Sequence, residues 1–177
     1  MLHGLLYVIR QIRFSKAAPD FRLLEAMLDY IADFSERFHH PKEDAYLFAR
    51  LGARNPGAVA LIDRLQREHQ SGAAKLSALR QALARYREAG SSAFPVFAAQ
   101  VAQYAAFHWD HMRVEEDELL PLARVHLTDA DWATVDAAFL GHTDPLFGAE
   151  RTEAYQDLFD RIVNLAPSPI GRARGSD

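Results

Sequence analysis

A ten-residue pattern occurs twice in this chain and carries most of its readable chemistry. His39-His40-Pro41-Lys42-Glu43-Asp44-Ala45-Tyr46-Leu47-Phe48 is echoed by His111-Met112-Arg113-Val114-Glu115-Glu116-Asp117-Glu118-Leu119-Leu120. Each copy reads His, three residues, Glu, a second acid, two residues, Leu, large apolar. On an α-helix, positions four apart share one face with about 6 Å of rise between them. Each copy therefore aims an imidazole and a carboxylate at one place, and two such helices facing each other form a site for a pair of metal ions. Superposing the copies pairs His39 with His111 and Glu43 with Glu115. The alternative register, His40 with Asp44, pairs His40 with Met112 and is disfavoured. Asp44 and Glu116 then support the ligands or face solvent, and His40 orients a neighbour or faces water.

Such a centre needs ligands from more than two helices. His3 and His69 are the further candidates, so the ligand set is His3, His39, Glu43, His69, His111 and Glu115. Iron, manganese and zinc all accept imidazole and carboxylate, and a glutamate can bridge two ions with its two oxygens. If both carboxylates bridge, each ion has two imidazoles and two carboxylate oxygens. A bridging oxide or hydroxide then leaves one open octahedral position on each, which suits a small ligand better than a purely structural role. A lone buried histidine is more often a hydrogen-bonded core residue than a ligand, and the case for His69 rests on its coincidence with the two His-xxx-Glu pairs. His108 lies one turn before His111 and reads as core or as support for the ligands, with substitution as a ligand the alternative. Tyr7, one turn after His3, reads as core, and His126 and His142 as surface or packing residues.

The elements that must position these groups read as helices throughout. Residues 2–14 form the first. Asp20 caps a second, with Phe21, Leu24, Leu28 and Ile31 on one face, running to about Leu51 with Gly52 helping to end it. Pro41 lies inside it and removes the bond to the carbonyl of Arg37, which predicts a kink. Asn55-Pro56 starts a third helix that ends near Gly90. Ser91 and Ser92 are placed to cap a fourth, from Phe94 to about Val125. Thr128 with Asp131 suggests a capping box for a helix over 129–141, and a last one spans 149–165. The expected architecture is all-α: an up-down-up-down four-helix bundle over residues 1–166 with two short additional C-terminal helices, then a disordered tail over 167–177.

With these motifs in view, the chain resembles the hemerythrin-like HHE cation-binding family. His39-His40-Pro41-Lys42-Glu43-Asp44 is similar to its second-helix motif, with Asp where a second Glu is usual. Glu68-His69 resembles the third-helix motif, and His111-xxx-Glu115-Glu116-xx-Leu119-Leu120-Pro121 the fourth. The resemblance implies a four-helix bundle holding two iron ions with a bridging oxide or hydroxide, zinc or manganese being possible substitutes. Oxygen-carrying members have a second histidine four residues after the position of His69, and here that position is Ala73. The implied site is more open, which favours reaction with oxygen, nitric oxide or peroxide, in sensing or detoxification, over reversible oxygen carriage. Iron storage or delivery, or an iron–sulfur-repair type of role, is the alternative reading. A helical interaction module with incidental histidines is the third.

Composition narrows the partners. The chain has 177 residues, a net charge of −4 and no cysteine. Thiolate ligands, disulfides and iron–sulfur clusters are thereby excluded. The charge balance offers no general attraction for nucleic acid or anionic membrane. No apolar run reaches the roughly 18 residues of a membrane span, and no signal peptide is evident. The expected partner is a small diatomic or peroxide ligand, the expected compartment the cytoplasm, and a homodimer is possible.

Overall fold

Buried leucines on one side of each long helix draw the chain into a bundle. The structure, a computed structural model, describes residues 1–15, 18–140 and 160, and among these there is no strand. Helix α1 spans Leu2–Ser15, α2 residues 21–54, α3 Val59–Ala89, α4 residues 94–126 and α5 Asp129–Leu140. Connections are short, so successive long helices run antiparallel. α3 packs against α2 and α4, and α1 packs against α4. The four-helix bundle read from the sequence is therefore the observed architecture. The helix expected over 149–165 (Asp160 apart), the tail from Pro167, and His142 lie outside the described residues.

Helix ends follow local chemistry, with two departures from expectation. Asp20 caps α2, its Oδ1 accepting the Leu23 N–H at 3.1 Å. Asp20→Ala should cost about 1 kcal/mol of stability, as loss of an N-cap acceptor typically does, measurable by urea unfolding; a change below the error of that measurement would contradict the cap. Gly52 does not end α2. The helix continues to Arg54 and stops at Asn55, which is extended at φ −134° and ψ 93°, as a residue preceding proline prefers. The expected serine caps of α4 are also replaced. Ser92 Oγ donates back to the carbonyl of Ala89 at 3.0 Å, and a single 3₁₀ turn, Gly90–Ser92, delivers the chain to Ala93. Gly90 has φ +69°, which a glycine adopts without steric cost. The capping box of α5 is present, with Thr128 N–H donating to Asp131 at 3.0 Å and Asp131 N–H to Thr128 Oγ1 at 3.3 Å.

Both repeated motifs lie where their helices widen. α2 is π-helical over Ala32–His39 and Glu43–Phe48, and α4 over Glu115–Leu119. The residue before each interior proline bonds five residues back: His40 N–H to the Ser35 carbonyl and Leu120 N–H to the Glu115 carbonyl. A proline ring clashes with the carbonyl four residues earlier in a regular α-helix, and the wider turn relieves that contact. The disturbance expected at Pro41 takes this form, and single π turns often accompany functional sites.

Two apolar clusters leave a polar layer between them. One joins Leu24 and Ile31 of α2, Leu76 and Leu83 of α3, and Phe97 and Val101 of α4. The other joins Leu47 and Leu51 of α2, Leu65 of α3, and Val114 and Leu119 of α4. Every one of the three helices passes through the first cluster, then the layer, then the second, in one direction or the other. Each fully buried leucine contributes roughly 1.5–3 kcal/mol, so the two cores can hold polar side chains rigidly between them.

Candidate metal centre

The layer between the cores is filled by buried ionisable groups: His40 and Glu43 from α2, His69 from α3, and His108, His111 and Glu115 from α4. Distance alone gathers His40, His69 and His111 into one group and Glu43, His69 and Glu115 into another. Four atoms face inward. His69 Nε2 lies 3.0 Å from His111 Nε2, 3.6 Å from Glu43 Oε2 and 3.7 Å from Glu115 Oε1. His111 Nε2 lies 3.0 Å from Glu115 Oε1. For ligand bonds of about 2.1 Å, neighbouring donors stand about 3.0 Å apart in an octahedron and about 3.4 Å in a tetrahedron. The two 3.0 Å spacings match neighbouring donors around one ion, and the two carboxylate oxygens stand slightly farther from His69.

Two outer carboxylates fix which ring nitrogens face inward. Asp44 Oδ1 is 3.0 Å from His69 Nδ1, and Glu68 Oε2 is 2.8 Å from His111 Nδ1. An ionised carboxylate only accepts hydrogen bonds, so both Nδ1 atoms donate. In the neutral rings, both Nε2 atoms then carry lone pairs turned toward each other. Two lone pairs facing at 3.0 Å require a cation between them, either a proton or a metal. Glu43 Oε2 and Glu115 Oε1 are also buried without a hydrogen-bond partner, which burial penalises unless a donor or cation supplies the missing partner.

Charge confirms the tension. Burial disfavours the charged form of His111, but Glu115 and Glu68 outweigh it and raise its pKa to about 9. Burial likewise disfavours ionised Glu115, yet His111 and His69 hold its pKa at about 2. Glu68 is lowered by His111 and Arg64 against the opposing effect of burial. Supporting carboxylates of this kind typically carry a factor of about 10–100 in metal affinity. Glu68→Gln or Asp44→Asn should weaken metal binding by about that factor while leaving the helical circular dichroism unchanged. Wild-type affinity in both variants would remove these residues from the account.

His39 stands at the mouth of this site. Its Nε2 is 3.2 Å from Glu43 Oε1, with 39% of its side chain exposed. Burial lowers the His39 pKa, but the Glu43 carboxylate overcomes that and leaves it raised. Helix α5 leans over this edge: the Phe139 ring is 5.8 Å from the His39 ring, and Lys42 Nζ donates to the Ala138 carbonyl at 2.6 Å.

Of the residues expected from the sequence, His39, Glu43, His69, His111 and Glu115 are drawn together by these contacts. His3 is placed elsewhere: it is exposed, tilts against Trp109 with ring centroids 5.1 Å apart, and belongs to neither distance group. Asp44 and Glu116 divide, one holding His69 and the other exposed. His40 is buried rather than facing water. Glu68 as the partner of His111 was not foreseen. Its sequence signals are adjacency to His69 and a place in the third-helix motif, and neither points to His111. His126 is exposed, as expected.

Comparisons with known proteins agree with the geometry. No curated protein and no solved structure gives a significant match. The family model of the hemerythrin HHE cation-binding domain matches residues 4–123, about two thirds of the 177 residues. That stretch contains both repeated motifs and all four inward-facing donors, and the chain belongs to the hemerythrin HHE cation-binding domain family.

Proposed function

We propose that this protein holds two iron ions joined by an oxide or hydroxide bridge and binds or reacts with a small oxidant or gas, namely oxygen, nitric oxide or peroxide. One observation carries the reading: the two oxygens of Glu43 face different imidazoles. Oε2 is 3.6 Å from His69 Nε2 and Oε1 is 3.2 Å from His39 Nε2. A carboxylate so placed would serve two ions at once, one held with His69, His111 and Glu115, the other with His39. The donors are nitrogen and oxygen only, a set that suits iron, manganese and zinc. Iron, when bound, supplies the one-electron chemistry that a small oxidant needs.

The protein's own residues do the remaining work. Asp44 and Glu68 hold the two inner imidazoles in the tautomer that ligates. The two apolar clusters exclude bulk water from above and below. His39 and Phe139 form the more open side, and a cavity of about 260 Å³ lined by His3, Phe34, Ser35, His108 and Trp109 lies beside the layer. Its size suits a small reactant. Ala73 is exposed, and Gly72 takes the buried position on α3 beyond His69, so no third imidazole follows there.

The test is an absorption spectrum of iron-loaded protein before and after reduction, then with nitric oxide or peroxide. Charge-transfer bands that shift on each addition are expected. A spectrum indifferent to all three, with rapid exchange of the iron, would instead indicate storage or delivery.

A further inference from the structure

Carboxylates orient the two inner imidazoles, Asp44 behind His69 and Glu68 behind His111. His39 is bracketed by aromatic rings. Phe34 of α2 lies nearly parallel to it, at 18° with ring centroids 5.6 Å apart. Phe34 stacks in turn on Tyr30 at 9° and 5.6 Å, and Tyr30 belongs to the first apolar cluster. Phe139 of α5 meets the His39 ring edge-on, at 80° and 5.8 Å.

Helix α5 runs back along the end of α2 to bring Phe139 there. It spans Asp129–Leu140, beyond residues 4–123 that the family model matches, so the contact comes from outside the matched domain. At its start, Asp131 pairs with Arg54 of α2 at 2.9 Å. Val135 is buried in the second apolar cluster, and Trp132 and Phe139 pack against that cluster. Further on, Lys42 Nζ donates to the Ala138 carbonyl at 2.6 Å and stands 5.8 Å from the centroid of the Phe139 ring. A charged donor makes this bond stronger than a neutral one. His39 and Lys42 are three residues apart, so one face of α2 presents both to α5.

An imidazole ligates an ion that lies in its ring plane, along the lone pair of the ligating nitrogen. Ring orientation therefore decides whether a histidine holds its ion. The His69 and His111 side chains are only 4% and 3% exposed, and packing confines them. The His39 side chain is 39% exposed, and exposed side chains change rotamer within picoseconds to nanoseconds. To keep its Nε2 at 3.2 Å from Glu43 Oε1, this ring needs walls. Phe34 is a wall from its own helix, and Phe139 is one that a separate element supplies.

We propose that Phe139 is a positioning residue for the outer ion: it confines the His39 ring so that Nε2 keeps its place beside Glu43, and Lys42 holds this part of α5 down over it. The inference rests on the two-ion reading above. On that reading α5 sets how long the outer ion stays, while the inner ion depends on Asp44 and Glu68.

The test is release of iron from full-length protein loaded with Fe²⁺ in the absence of oxygen and mixed with an excess of a chelator that colours with Fe²⁺. The unaltered chain should release two equivalents in two phases, the faster from the His39 position. Phe139→Ala and Lys42→Met should each speed the faster phase about tenfold, the low end of what supporting residues contribute to metal affinity, and leave the slower phase as it was. Phe139→Tyr, which keeps the ring, should match the unaltered chain. An unchanged faster phase in Phe139→Ala or Lys42→Met overturns the proposal. So does equal acceleration of both phases, which indicates a loosened bundle rather than a freed His39 ring. A single equivalent released from the unaltered chain instead removes the two-ion reading itself, and the outer position with it.

Discussion

Glu43→Ala protein, expressed and purified without chelator, should retain almost no tightly bound metal while keeping its helical signal. Among the described residues, Glu43 is the side chain whose two oxygens reach toward two imidazoles on different helices, so on the proposed reading its loss affects both ion positions together. Even the outer partners of metal ligands are worth about 10–100-fold in affinity, so loss of a shared ligand should exceed about 100-fold. The helices should persist because the two apolar clusters lie on either side of the layer and do not include Glu43. Removing Glu43 also relieves the metal-free protein of a buried oxygen, Oε2, that has no hydrogen-bond partner. His111→Ala should behave similarly for the inner position alone. Retention of full metal content in Glu43→Ala would mean that the bridge is not where the geometry puts it.

The second large effect is on pH. In metal-free protein the His111 pKa is about 9, because Glu115 and Glu68 outweigh the opposing effect of burial. Below that pH a metal ion must displace a proton from the ring, so affinity should rise about tenfold per pH unit until pH 9. By pH 4 the ions should be gone. Metal-free stability follows the opposite trend. A folded pKa above the ordinary 6.5 means that protonated His111 stabilises the fold fully below 6.5 and ceases to do so as pH rises through about 9. Glu115, held at about 2 instead of 4.5, stabilises above 4.5 and ceases to do so as pH falls toward 2. Calorimetric titrations and urea unfolding of stripped protein across this range measure both. An affinity flat from pH 6 to 9 would exclude His111 as a ligand.

The bundle was readable because its signals are local. Apolar spacing of three and four defined each long helix, Asp20 and the Thr128–Asp131 pair marked starts, and Asn55-Pro56 marked a break. Where expectation failed, a neighbouring residue overrode a weaker cue: Asn55 before Pro56, not Gly52, ends α2. The centre was legible as far as repetition carried it, since the repeat paired His39 with Glu43 and His111 with Glu115. Its support was not. Asp44 reaches His69 across 25 positions and Glu68 reaches His111 across 43, and no spacing rule on a single helix reveals such pairs. The repeat favours His39 over His40, whereas the π-helical turns around Pro41 set one ring beside Glu43 and the other beside Glu36. Gly72 is similar. Its role becomes visible only once the Glu36 carboxylate is found against it.

The most direct test of the dimetal reading is metal analysis of the purified full-length chain combined with iron X-ray absorption. Two iron atoms per chain and a metal–metal vector near the roughly 3.5–4 Å typical of paired sites are the expected result. Iron at one atom per chain, with no second metal in its scattering shell, would contradict a carboxylate-bridged pair at Glu43.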